Sequence, residues 1–258
     1  MLSAVEKWKF DLALWAIPQE ILDQAEVEPW FHPAALFALP EVIEDSPSHQ
    51  KAREAMPVGG TVLDIGCGGG TAAFAIAPPA KHLIGVDHQS EMLEMFSSHA
   101  EKRGLTSEVF EGFWPAIAEQ VPAADVVTCH HVLFNVGDVQ GFIEALDSHA
   151  RKRVVIELPL VHPTTSRSPG WKYFWNLIRP TTPTADDLMN VLEELGIPAH
   201  IEKFTGKLTV EEGEEDRIEY TRKRLCLPKS RTDEIVEFLK NEPNPTTREV
   251  AVVWWDKV

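Results

Sequence analysis

The sequence predicts an α/β fold built on a mostly parallel sheet, and three observations carry that expectation. From residue 61 onward, short apolar runs alternate with helical stretches, the pattern of repeated strand–helix–strand units. A glycine-rich turn, Gly66-Cys67-Gly68-Gly69-Gly70, follows the first run. An acid, Asp87, closes the second.

The elements follow in order. Residues 1–55 read as helical pieces broken by Pro18, Pro29, Pro33, Pro40 and Pro47, because proline ends a helix that meets it. This segment is rich in aromatics: Trp8, Phe10, Trp15, Trp30, Phe31 and Phe37. Residues 61–65 read as the first strand, 71–77 as a small-residue helix and 82–87 as the second strand. A helix over 90–103 has Ser90 as its N-cap and Gly104 as its stop. Strands follow over 107–111, 124–129 and 153–158, with a helix over 138–150 between the last two. Each parallel crossover is expected to be right-handed.

After Pro159 the alternation loosens. An aromatic helical stretch covers 171–178, a helix over 184–195 stops at Gly196, and 199–204 reads as a strand. Glu211, Glu212, Glu214, Glu215 and Asp216 precede Arg222, Lys223 and Arg224, the charge order that suits a helix dipole and a solvated helix. Residues 232–241 form a further helix, and 250–255 a closing strand.

Composition narrows the function. The chain has 258 residues, with 24 Lys and Arg against 40 Asp and Glu, a net charge of −16. That balance argues against a nucleic-acid groove, which needs surplus cations on its contact face. Apolar residues at 44% suffice for an ordinary core. Cys67, Cys129 and Cys226 are far apart and show no metal-ligand spacing, so neither a disulfide framework nor a metal site is expected. Charges at Glu6, Lys7, Lys9 and Asp11 argue against a signal peptide. The longest apolar run, 72–80, is far short of the ~20 residues a membrane span needs. The expectation is a cytoplasmic protein without a membrane or nucleic-acid partner.

The glycine turn carries the chemistry. Glycine allows positive φ and lets backbone approach a ligand without a Cβ in the way, and a helix start there favours an anionic group. Twenty-one positions after Gly66, Asp87 stands where a carboxylate can accept hydrogen bonds from two ribose hydroxyls. The dinucleotide pattern GxGxxG needs glycine at position 71, which here is Thr71. The run Val62-Leu63-Asp64-Ile65-Gly66-Cys67-Gly68-Gly69-Gly70 resembles motif I of the class I S-adenosylmethionine-dependent methyltransferases.

That resemblance spans roughly residues 58–160. It implies a Rossmann-like, seven-stranded, mostly parallel sheet flanked by helices, closed by an antiparallel last strand, with S-adenosyl-L-methionine as cofactor. It places the methionine end over the glycine turn, the ribose at Asp87 and the α-amino group near Asp64. Cofactor-binding positions by this resemblance are Asp64, Gly66, Cys67, Gly68, Gly70, Asp87, His88, Met92, Gly112, Phe113, Trp114 and His130. The chain departs from the family at Glu111-Gly112-Phe113-Trp114, where the family often has Gly-Asp. Adenine recognition would then fall to backbone groups and to stacking on Phe113 or Trp114, unless those rings only pack the sheet edge.

The fourth strand ends in Cys129-His130-His131-Val132-Leu133-Phe134-Asn135-Val136. The resemblance places this loop before the reacting methyl group. His130 or His131 could take a proton from the acceptor, or serve as hydrogen-bonded structural residues. Methyl transfer needs no enzyme nucleophile, because alignment and water exclusion suffice. The motifs at 111–115, 129–136 and 222–228 further resemble a group of uncharacterised bacterial methyltransferases.

The expected organisation is an N-terminal helical lid over 1–57 and a methyltransferase domain over 58–258, with substrate-side insertions within 159–230. Trp171, Tyr173, Phe174 and Trp175, with the aromatics of the lid, either line a pocket for an aromatic or apolar small molecule or pack a core. His162 and Arg167 either orient a polar substrate or sit idle in a loop. Two other functions compete: a binding module that holds the cofactor without turnover, and a nicotinamide-dependent oxidoreductase. Oligomeric state is open.

Overall fold

A computed structural model describes residues 2–30, 39–208 and 213–257. Phe31, Pro33, Phe37, Glu211 and Glu212 lie outside the described residues. Seven strands form one sheet: β1 (Thr61–Ile65), β2 (His82–Asp87), β3 (Thr106–Glu111), β4 (Ala124–His130), β5 (Ala150–Pro159), β6 (His200–Lys207) and β7 (Thr247–Asp256). Their order is β3-β2-β1-β4-β5-β7-β6. The first five pair in parallel, and β7 runs antiparallel to both β5 and β6. The order reverses between β1 and β4, so their carboxyl ends open a crevice at the switch point.

The central strands read as near-continuous apolar runs because both faces are covered. On one face lie α1 (Ala4–Ala13), α6 (Val139–His149) and α8 (Ala185–Glu194), with Trp8, Phe142, Leu146 and Leu188 fully or almost fully buried. On the other lie α3 (Pro47–Ala55), α4 (Thr71–Ala75) and α5 (Ser90–Lys102), which contribute Ala52, Phe74, Leu93 and Phe96. A third apolar cluster joins α2 (Gln19–Leu22), α7 (Ser168–Trp175), α9 (Glu214–Arg224) and α10 (Thr232–Leu239) through Ile21, Trp171, Phe174, Leu225 and Ile235. The N-terminal segment is thereby divided: α1 and α3 pack on opposite faces of the sheet, and α2 belongs to the third cluster.

Several local expectations shift. Ser90 is the first helical residue of α5, and Gln89 takes the cap position. The Gln89 N–H is held instead by Asp87 Oδ1 at 3.1 Å. Strand β5 extends past its apolar run at both ends, where Ala150 pairs with Ala124 of β4 and Pro159 with Val250 of β7. Thr184 caps α8 in a reciprocal capping box with Asp187. α9 is not merely a solvated helix. The Arg222 side chain is only 2% exposed and pairs with Glu26 at 2.9 Å and Glu219 at 2.7 Å. These bonds hold the Glu219 carboxyl down at about 2 and fasten α9 to the N-terminal segment.

The aromatic flanks are largely core. Trp8, Trp15 and Trp171 are buried. Two of them carry their N–H to a backbone carbonyl, Trp8 to Val136 at 3.0 Å and Trp15 to Thr182 at 2.7 Å, as a buried indole requires. His162 is also buried, stacked on Trp15 at 3.9 Å with Nδ1 2.9 Å from Thr164 Oγ1. Burial, with Arg179 nearby, lowers its pKa to about 4. Arg167 lies over the Tyr220 ring at 4.7 Å. Among the described residues, no helix is long and apolar enough to cross a membrane.

Candidate active site

The glycine turn joins the end of β1 to α4. Gly66, Gly68 and Gly70 take φ values of +69°, +50° and +98°, a region that side chains disfavour. Packing adds a second reason at Gly66 and Gly70. A Cβ on Gly66 would lie 2.5 Å from Val132 Cγ2, and one on Gly70 would lie 2.4 Å from Phe74. The backbone is thus pressed against the loop after β4 and the first turn of α4. Gly66 N–H and Cys67 N–H both donate to Val86 O, at 2.8 and 3.0 Å, so the turn rides on the end of β2.

Two carboxylates sit on this scaffold. Asp87 ends β2 and is 8% exposed. It accepts from Gly68 N–H at 3.0 Å and from Gln89 N–H at 3.1 Å. Asp64 lies deeper, 2% exposed, in register with Gly85 on one side and Thr128 on the other. Thr128 Oγ1 donates to its Oδ1 at 2.8 Å. Burial dominates and pushes Asp64 up to about 7, helped by the charge of Asp87 and opposed by the Thr128 and Ala73 hydrogen bonds. A buried carboxyl poised there favours a cationic partner.

Beyond Asp87 the surface opens. The His88 ring stacks on Phe113 at 4.9 Å and 22°, and Phe113 is 69% exposed. Gly112 N–H donates to Asp87 O at 2.9 Å, which sets this aromatic pair beside the carboxylate. Met92 and Cys67 are buried in the core. Trp114 meets His149 edge-on at 4.8 Å and packs against the sheet core. Of the two aromatics considered for adenine, Phe113 presents a free face and Trp114 is a packing residue.

The carboxyl end of β4 holds a different group. His130 is in register with Glu157 of β5, so both side chains rise from the same sheet face. His131 leaves the strand at φ +61°; its N–H donates to Glu157 O at 2.7 Å and its Nε2 lies 2.9 Å from Glu157 Oε1. Burial alone would raise Glu157, but His130 and His131 outweigh it and hold the carboxyl well below its ordinary range. The His130 ring is stacked on His49 of α3 at 5.8 Å. Burial lowers its pKa to about 4, against the attraction of Glu157, so it is neutral near pH 7. Arg248, from β7, places Nη2 at 3.3 Å from His131 Nδ1. Glu157 and Arg248 lie far from the glycine turn in sequence, and nothing in their local context marks them.

Residues 62–152 match the family model described as a methyltransferase domain. These residues are a class I S-adenosylmethionine-dependent methyltransferase domain. The cofactor of that domain is S-adenosyl-L-methionine, and the positive-φ glycine turn beside the buried carboxyls of Asp64 and Asp87 fits it. The chain is 29% identical over 144 residues to the uncharacterized methyltransferase YcgJ of Bacillus subtilis, covering 54% of this chain and 49% of that protein. It is 36% identical over 103 residues to the ubiquinone biosynthesis O-methyltransferase of Psychrobacter arcticus, covering 39% and 40%. The chain thus spans half or less of these curated relatives' length. The crystal structure of YcgJ has the same fold, with a TM-score of 0.56 at 18% identity, over 81% of this chain and 97% of that one. Among the described residues no cluster of His, Cys, Asp and Glu could hold a metal ion.

Proposed function

We propose that the protein methylates a small-molecule acceptor using S-adenosyl-L-methionine. The observation that carries this reading is the bonded pair of turn and acid: Gly68 N–H on Asp87 Oδ2 at 3.0 Å, beside a turn whose glycines leave backbone bare. The cofactor supplies an electrophilic methyl group on a positively charged sulfur.

The chain's residues do the rest. Asp87 accepts the ribose hydroxyls, with the Gly68 amide fixing its orientation. Asp64 pairs with the α-amino group, which restores the ionised form that burial opposes. Phe113, braced by His88, stacks on the adenine. Gly66, Cys67, Gly68 and Gly70 give the backbone surface, and Gly112 seats Phe113. Met92 and Trp114 act from behind, as packing. His130 and His131 stand on the acceptor side, with His130 also near the methyl end. Catalysis rests on alignment and exclusion of water. The relative named for ubiquinone biosynthesis supports an oxygen acceptor on a small molecule.

A thermal-shift series with S-adenosylmethionine, S-adenosylhomocysteine and NADH tests the reading. The first two are expected to raise the melting temperature and NADH to leave it unchanged. Stabilisation by NADH alone would overturn it. Binding with no S-adenosylhomocysteine formed from any acceptor in a broad panel would reduce the protein to a cofactor-holding module.

A further inference from the structure

The group around Glu157 is more than a base and its support. His131 has both ring nitrogens engaged. Nε2 faces an ionised Glu157 oxygen at 2.9 Å, so it carries the proton. Arg248 Nη2 lies 3.3 Å from Nδ1 and 3.4 Å from Nε2; a guanidinium only donates and Nε2 holds its proton toward Glu157, so Nδ1 is the acceptor. His131 is therefore occupied at both ends, bridging Glu157 to Arg248. Two residues of this cluster, His130 in register with Glu157 and Arg248 against His131, each carry a buried polar atom without a protein partner among the described residues: His130 Nε2 and Arg248 Nε. Such atoms are costly when left unpaired, and two in one cluster point to a ligand that completes them.

Their chemistry limits that ligand. Arg248 Nε–H can only donate, so the ligand must offer a lone pair. His130 is neutral, and its open nitrogen can receive a proton. An ammonium group has no lone pair for Arg248, and a neutral amine has only one, which cannot both accept from Arg248 and attack the methyl group. A carboxylate has no proton for His130 and would meet the ionised Glu157 with a like charge. A hydroxyl supplies one donor and two acceptor positions and adds no charge where Glu157 and Arg248 already balance.

We propose that the acceptor atom is a hydroxyl oxygen of a small molecule, held between His130 Nε2 and Arg248 Nε–H. This deepens the methyltransferase reading and rests on it. The hydroxyl proton passes to His130 Nε2 as the oxygen's electron pair forms the new O–CH₃ bond. The S–CH₃ bond breaks with its electrons left on sulfur, giving a neutral thioether, and the proton leaves from His130 to solvent. Arg248 offsets the charge that builds on oxygen. His131 and Glu157 are positioning residues: they aim the guanidinium and touch no reactant.

The test uses 4-nitrophenol, whose absorbance reports its ionisation, added to protein saturated with S-adenosylhomocysteine. The wild type is expected to bind it and to raise its phenolate absorbance at a fixed pH below its free pKa. Arg248→Gln is expected to weaken this binding about tenfold or more and to abolish the absorbance change, with S-adenosylhomocysteine affinity kept. Arg248→Lys, which keeps the cation but lacks the Nε–H, secures the result should the glutamine variant fold poorly; it too is expected to lose the absorbance change. An unchanged signal in the variants would overturn the proposal, as would no ionisation by the wild type or tighter binding of 4-nitrobenzoate. Failure of S-adenosylhomocysteine itself to bind would bring down the underlying methyltransferase reading instead.

Discussion

Gly68 donates its backbone N–H to Asp87 Oδ2 across 3.0 Å. The turn after the first strand and the acid that ends the second are therefore one unit. A change at either residue is felt at the other.

Asp87→Ala is expected to weaken binding of S-adenosylhomocysteine by about 2–4 kcal/mol, from two lost charge-assisted hydrogen bonds with imperfect additivity. Calorimetry measures it directly. Asp87→Asn is expected to lose less, because an amide oxygen can still accept one of those bonds and the Gly68 contact. Equal affinity in the wild type and the alanine variant would remove the ribose from this carboxylate.

The buried Asp64 makes the stability of the free protein depend on pH. Its folded pKa, about 7, lies above its ordinary value of 3.8, so the folded state holds a proton that the unfolded chain releases. This contribution is full below the unfolded value, declines as pH rises from about 4, and is gone above about 7. At ~1.36 kcal/mol per pKa unit, the span is on the order of 4 kcal/mol. Urea unfolding of the free protein at pH 5 and pH 8.5 should show that decline. Asp64→Asn, which keeps an acceptor for Thr128, should flatten it.

Gly66→Ala is expected to destabilise the fold by about 2–4 kcal/mol. Roughly 1–2 kcal/mol comes from a side chain at positive φ, and the rest from the contact with Val132 Cγ2. Melting of Gly66→Ala, Val132→Ala and the double variant separates the two. The double variant should recover the steric part and keep the conformational one.

Phe113→Ala is expected to leave melting nearly unchanged, because the ring is 69% exposed. Cofactor affinity should fall by about 1–3 kcal/mol, the usual size of a base–aromatic stack. The same substitution at Trp114, which packs on His149 and the core, should lower the melting temperature first. If Phe113→Ala bound cofactor as well as the wild type, adenine would lie elsewhere.

The order of elements, the glycine turn and Asp87 were legible in the sequence because each depends on neighbours a few residues away. Strand period, positive φ and an acid closing a strand are local properties. That holds for Asp64 too, since its place in the first strand already aims it at the turn. Phe113 against Trp114 was not legible, because exposure is settled by which ring meets His149 and the core. The charged run before and after Arg222 read as a solvated helix, and only the fold buries that guanidinium against Glu26.

The acceptor side shows the division most clearly. The sequence by itself determined that two histidines stand next to one another at the end of β4. Only the tertiary structure distinguishes their surroundings, by bringing Glu157 from β5 and Arg248 from β7 against His131 and leaving His130 Nε2 without a protein partner among the described residues. Parallel and antiparallel strand pairing joins positions far apart along the chain, and a side chain's hydrogen-bond partners depend on those neighbours in space.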